Sequence, residues 1–109
     1  MKITKKQFEN ELQALKGKKQ YLLSIFNNNI DEILNTLENV NDRDREKHIS
    51  SYSRIIENLE IKNDRFSINS SNYYFKGKTN IYKIEHNSYL YYILHNVSSN
   101  NIIIYENII

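Results

Sequence analysis

Asn80-Ile81-Tyr82-Lys83-Ile84-Glu85-His86-Asn87-Ser88-Tyr89-Leu90-Tyr91-Tyr92-Ile93-Leu94-His95 is the stretch on which the fold turns. Its first part alternates apolar and polar residues, the period-2 pattern of a strand with one buried face. Its last part is dense in Tyr, Ile and Leu, as in a strand central to a sheet. Between them His86-Asn87 predicts a two-residue turn, because Asn tolerates positive φ. Upstream, Arg65-Phe66-Ser67-Ile68-Asn69 alternates as well, and Tyr73-Tyr74-Phe75 runs into a turn at Lys76-Gly77-Lys78. Downstream, a polar loop from Asn96 to Asn101 leads to a last strand at Ile102-Ile103-Ile104-Tyr105. Residues 63–109 are thus expected to form an antiparallel meander of three to five strands.

Ahead of this region the period is helical. Thr4-Lys5-Lys6-Gln7 has the form of a capping box, in which the Thr hydroxyl accepts from the amide three residues on. Phe8, Leu12, Leu15, Leu22, Phe26, Ile30, Ile33 and Leu37 then fall on one helical face. This predicts one helix over 5–39, about 52 Å long at 1.5 Å per residue, or two helices broken near residue 17 or 28. Gly17 and the run Asn27-Asn28-Asn29 are the weak points. Asn41-Asp42-Arg43-Asp44 reads as a stop and a new cap. Ile49, Tyr52, Ile55, Ile56 and Leu59 predict a second helix, antiparallel to the first across a short connection. The expected architecture is α+β: a helical part, 1–62, packed on a sheet part, 63–109, in a single domain.

Composition narrows the chemistry. At 109 residues the chain is too short for a TIM barrel or a full dinucleotide fold. It has no Cys, so disulfides, thiolate metal sites and Cys nucleophiles are excluded. Its two Gly leave no Gly-rich phosphate loop, and no G-x-S-x-G elbow is present. No apolar run approaches the roughly 20 residues of a membrane span, and no secretory signal is visible, so a cytoplasmic protein is expected. Asn, Ile, Lys and Tyr make up 54 of the 109 residues. All four have AT-rich codons, which points to a low-GC bacterium, its phages or its mobile elements as the source.

His48, His86 and His95 lack metal-ligand spacing, and no metal or cofactor is expected. Glu85 beside His86 is the one adjacent acid–base pair in the sheet region, at a turn where such neighbours are ordinarily solvated. The net charge of +2 hides an uneven distribution. Residues 1–20 carry six Lys against Glu9 and Glu11, and residues 21–62 carry an excess of acids. Lys16, Lys18 and Lys19, with Lys76, Lys78 and Lys83, are expected to build a positive face, and Tyr73, Tyr74 and Tyr82 to supply aromatic contact area there. One face of the strand at Tyr89–Leu94 is expected to pack on the helices and the other to expose Tyr.

Lys76-Gly77-Lys78-Thr79-Asn80-Ile81-Tyr82-Lys83-Ile84, Tyr89-Leu90-Tyr91-Tyr92-Ile93 and Ile102-Ile103-Ile104 together resemble the sheet of RelE/ParE-type toxins. The resemblance implies action on ribosome-bound mRNA or on gyrase. Leu90 stands where that family carries an arginine, so no active-site residue is matched. The expectation drawn from the residues themselves is different: a small non-enzymatic inhibitor of phage or mobile-element origin, anti-defence (anti-CRISPR-like) in type. It would block a functional surface of a larger host protein, including one that normally takes nucleic acid. A small nucleic-acid-binding regulator is the remaining alternative, and the chain is expected to act as a monomer or homodimer.

Overall fold

The computed structural model describes residues 1–25, 29–41 and 49–108, and among them are two helices and nine strands, with both helices in the first half of the chain. A two-residue strand, β1 (Lys2–Ile3), precedes helix α1 (Lys5–Ala14). Thr4 is the N-cap: its hydroxyl accepts from the Gln7 amide at 3.1 Å, while the Gln7 side chain bonds Glu11, and Phe8 and Leu12 are buried on one face of α1. The helix ends at Leu15 because Gly17 turns left-handed, with φ +85°. The Gly17 amide donates to the Ile56 carbonyl at 2.7 Å, and the Ile56 amide donates to the Lys18 carbonyl at 3.0 Å. Two residues thus oppose one, a glycine bulge that turns the helix exit into strand β2 (Lys19–Ile25). Asn29 then caps helix α2 (Ile30–Asn39): its side-chain oxygen accepts from the Asp31 amide at 3.0 Å and the Glu32 amide at 3.2 Å.

The long helix expected over 5–39 is therefore two short helices with a strand between them. The physical reason lies in β2, which is apolar on both sides. Leu23 belongs to the core beneath α2 and Leu22 packs against the core beneath α1. A strand covered on both faces shows no alternation, and its leucines keep step with a helical stripe. The second expected helix is also replaced, by strands β3 (Ile49–Ile55) and β4 (Leu59–Ile61). Its Ser, Ile and Tyr are weak helix formers, and β3 pairs with β2 along its whole length, from Ile25↔Ile49 to Lys19↔Ile55. Phe26, the proposed cap Asp42 and His48 lie outside the described residues.

Strands β5 (Arg65–Ile68), β6 (Ser71–Tyr74), β7 (Thr79–His86), β8 (Tyr89–Asn96) and β9 (Asn101–Ile108) complete the chain. Of the three to five strands expected after residue 63 five are present, but they divide between two sheets. A six-stranded antiparallel sheet has the order β1-β7-β8-β9-β2-β3, and a three-stranded one the order β4-β5-β6. Residue 62 is thus no boundary: β1, β2 and β3 flank the C-terminal meander in one sheet. The tight turns are Asn69-Ser70 (φ 49° and 71°) and Asn87-Ser88 (φ 49° and 66°). Positive φ at both central residues is the type I′ geometry that suits the twist of a hairpin. The second turn lies one residue beyond the expected His86-Asn87, since His86 pairs with Tyr89.

Both faces of the large sheet are covered. Phe8, Leu12, Phe66, Ile68, Leu90, Tyr92 and Leu94 join α1 and the small sheet to one face. Ile33, Leu37, Val40, Tyr91, Ile93 and Ile104 join α2 to the other. The expected tyrosine-rich open face of β8 is absent for this reason: Tyr91 is 0% and Tyr92 1% exposed. Phe66 is the aromatic hub, with ring centroids 5.4 Å from Phe8, 5.3 Å from Tyr73, 5.7 Å from Phe75 and 6.2 Å from Tyr105. No helix among the described residues is long and apolar enough to cross a membrane.

Candidate functional site

The β5–β6 hairpin and the connection after it bring together part of the expected basic–aromatic face. Tyr73 points inward, stacked on Phe66, and burial pushes its hydroxyl above the ordinary tyrosine value. Tyr74, its neighbour, points the other way and is 44% exposed. Arg65 pairs with Tyr74 across the hairpin and carries its guanidinium 5.5 Å from the ring centroid. Lys76 brings its ammonium within 5.7 Å of the same ring. Both lie inside the distance at which a cation is drawn to an aromatic face.

Beside this ring is a cleft of about 670 Å³. Asn72, Tyr73, Tyr74, Lys76 and Gly77 form one wall, and Asn96, Ser98, Ser99, Asn101, Ile102 and Ile103 the other. Gly77 adopts φ +66°, and a Cβ there would sit 3.3 Å from the Ser98 hydroxyl, so the two walls meet closely at this point. Asn96 ties them together, donating to the Lys76 carbonyl and accepting from the Ser99 amide at 3.1 Å. The amides and hydroxyls of Asn72, Asn96, Ser98 and Ser99 share the lining with the apolar surface of Tyr73, Ile102 and Ile103, and Tyr74 and Lys76 stand on one wall. That mixed chemistry suits a group with both apolar and polar parts.

The remaining expected residues are elsewhere. Lys16, Lys18 and Lys19 are exposed around the bulge between α1 and β2, and Lys16 lines a separate groove with Leu59 and Glu60. Lys78 is exposed between β6 and β7. Tyr82 and Lys83 are neighbours on β7 and so point to opposite faces. Tyr82 packs against the core beneath α2, while Lys83 reaches α1 on the other face. Tyr82 therefore does not share a surface with Tyr73 and Tyr74. Arg65, Asn72 and Ser98 are part of the site without any signal in the sequence, because only hairpin register and loop approach place them there.

Lys83 belongs instead to a cluster that composition and spacing did not suggest. Its ammonium pairs with Glu11 of α1, and the same Glu11 oxygen accepts from the Tyr92 hydroxyl at 2.7 Å. Glu85 stands 3.7 Å from Lys83. Burial alone would raise the Glu11 carboxyl, but hydrogen bonds from Lys83, Tyr92 and Gln7 together hold it below its ordinary value. The hydrogen bond to Glu11 raises Lys83, and burial raises Tyr92. Each shift deepens the protonation state the group already has at neutral pH. A general acid or base needs the reverse, a value drawn toward neutrality. The cluster is a clasp between α1 and the sheet.

Glu85 and His86 also point to opposite faces, so the adjacent pair does not converge. The His86 ring donates to the Val40 carbonyl at 2.9 Å, fastening the end of α2, and the His95 ring meets Asn100 at 2.8 Å. Among the described residues no group of three or more His, Asp or Glu is placed to hold a metal ion. Comparison of the chain with protein-family models, curated proteins and solved structures found no match.

Proposed function

We propose that the protein is a small non-enzymatic binding protein, an inhibitor that docks on an acidic surface of a larger protein through the rim of the Tyr74 cleft. The observation that carries this reading is the Tyr74 ring: exposed, aromatic and flanked by two cations, its strand partner Arg65 and Lys76. Tyr and Arg are the residue types that dominate binding energy at interfaces. The cations Arg65, Lys76 and Lys78 favour a negatively charged counterpart by simple complementarity. A surface evolved to take nucleic acid is itself basic and would repel them, so the expectation of such a target gives way to an acidic one.

Direct nucleic-acid contact is less well served by the same geometry, because Arg65 and Lys76 lie over the ring on which a base would have to stack. The toxin reading has no cation to offer at Leu90, which is buried beneath α1. The test is affinity capture from a low-GC Gram-positive lysate with and without nuclease, read by mass spectrometry. A stoichiometric, nuclease-resistant partner is expected, lost when Tyr74, Lys76 and Lys78 are together replaced by Ala in a variant with an unchanged circular dichroism spectrum. Unchanged capture by that variant, or capture of ribosomal proteins lost on RNase treatment, would overturn the proposal.

A further inference from the structure

The two edges of the large sheet are unlike each other. One is β1, only two residues long, a length too short to template another strand. The other is β3, seven residues long, with no strand on its outer side among the described residues. Natural edges are ordinarily blunted by lysine, proline or a bulge. Between Ile49 and Ile55 there is no lysine and no proline, and the register with β2 runs without interruption. The only charge, Arg54, is turned back onto its own molecule: it donates to Gln20 at 2.8 Å and lies 5.5 Å from the Tyr105 ring. Tyr52 and Ile55, by contrast, are 70% and 53% exposed.

The strand reads Ile49-Ser50-Ser51-Tyr52-Ser53-Arg54-Ile55. Reversed, it is the same sequence except that Ser50 and Arg54 exchange places. We infer that β3 is a dimerisation strand, pairing antiparallel with β3 of a second copy about a two-fold axis at Tyr52. The backbone fits this register. Ile56 directs both its amide and its carbonyl toward β2, as the bonds with Gly17 and Lys18 show. By strand alternation Arg54 and Tyr52 do the same, and Ser53 and Ser51 direct theirs outward. An axis at Tyr52 sets Ser51 against Ser53 of the second copy and Ser53 against its Ser51, both as hydrogen-bonded pairs. Tyr52 then faces the second copy's Tyr52 as a non-hydrogen-bonded pair, the closer of the two types. Arg54 falls opposite Ser50 of the second copy, so no like charges meet.

Other registers fare worse. A shift of one residue sets outward groups against inward ones, and an axis at residue 51 or 53 shortens the ladder. Parallel pairing in register would stack Arg54 on its own copy. The Asn69 side chain, which donates to the Ile55 carbonyl at 2.7 Å, closes the edge beyond that residue and fixes where the ladder ends.

Sedimentation equilibrium tests the dimer, and cysteine trapping tests its register. Wild-type protein is expected at twice the 13.1 kDa chain mass at micromolar concentration. Ser53→Pro removes an outward amide and spares the β2 ladder; Tyr52→Lys sets like charges on the axis. Each is expected to give monomer while circular dichroism stays unchanged. The chain has no cysteine, so Tyr52→Cys carries a single thiol. Under mild oxidation it is expected to crosslink at least tenfold faster than Ser51→Cys, whose thiol faces residue 53 of the other copy. A wild-type monomer at 200 µM, or equal crosslinking at the two positions, overturns the inference, and neither result bears on the Tyr74 cleft.

Discussion

Replacing Phe66 by Ala tests whether the small sheet is an integral layer of this protein. Phe66 lies at 1% exposure on β5 and touches the rings of Phe8, Tyr73, Phe75 and Tyr105. It therefore links the small sheet to α1 and to β9. Loss of the transfer free energy of its ring costs about 2–3 kcal/mol. The cavity left among rings held by separate elements adds about 2 kcal/mol. The expected loss of about 4 kcal/mol is a large share of the roughly 5–15 kcal/mol that holds a domain together. It corresponds to a fall in Tm of roughly 15–25 °C for a chain of this length. Urea denaturation followed by far-ultraviolet circular dichroism and by tyrosine fluorescence gives the free energy and the m value together. With both layers in one cooperative unit, the two probes coincide and m is unchanged while the midpoint falls by about 2 M. Tyr74→Ala, at an exposed rim position, serves as control and costs less than about 1 kcal/mol. A loss below about 1.5 kcal/mol for Phe66→Ala would refute the hub. Separate transitions for the two probes would show the small sheet to be an independent unit.

Other consequences follow from single residues. Tyr105 is pushed up to about 12 by burial, Tyr92 is also raised by burial, and Lys83 is raised by its bond to Glu11. A raised value means stability that is whole below about pH 10 and is lost as pH climbs toward the folded-state value. Denaturant midpoints are thus expected to fall steeply between about pH 10 and 12, and a flat profile there would contradict the clasp. Glu11, lowered, adds an acid limb that fades below its ordinary value, and Glu11→Gln should remove that limb in the same titration. Asn69 holds φ 49° while accepting from the Glu57 amide at 2.9 Å and the Asn58 amide at 3.0 Å, and it donates to Ile55. Asn69→Ala is expected to cost about 2–3 kcal/mol by denaturation, whereas Asn69→Gly, which relieves the backbone, should cost about 1 kcal/mol less. Gly77→Ala strains a left-handed residue and crowds Ser98, and should cost about 1–2 kcal/mol while weakening partner capture through the cleft.

Much of the site and the fold was legible for identifiable reasons. Thr4 with Gln7 marked the start of α1, and the stripe Ile30, Ile33, Leu37 marked the inner face of α2. The alternation of Ile81 to Glu85 and the turn-forming Asn87 marked the β7–β8 hairpin. Tyr73, Tyr74 and Lys76 could be grouped from sequence, since four consecutive residues contain them. Arg65 and Ser98 were invisible as members of the site, because the closeness of Arg65 to Tyr74 depends on strand register and that of Ser98 to Gly77 on a loop crossing.

The sequence by itself determined local matters: caps, turns, the two short helices' inner faces and the apolar density of β8. These depend on residues within a few positions of each other, where side-chain chemistry acts directly on the backbone. Only the tertiary structure decided that residues 19–25 and 49–55 are strands, that the C-terminal meander lies between β1 and β2, and that the tyrosines of β8 are core. A segment covered on both faces carries no period that distinguishes strand from helix. Its conformation is settled by partners far along the chain, such as Tyr105 opposite Leu22, whose pairing satisfies backbone groups that local sequence leaves open.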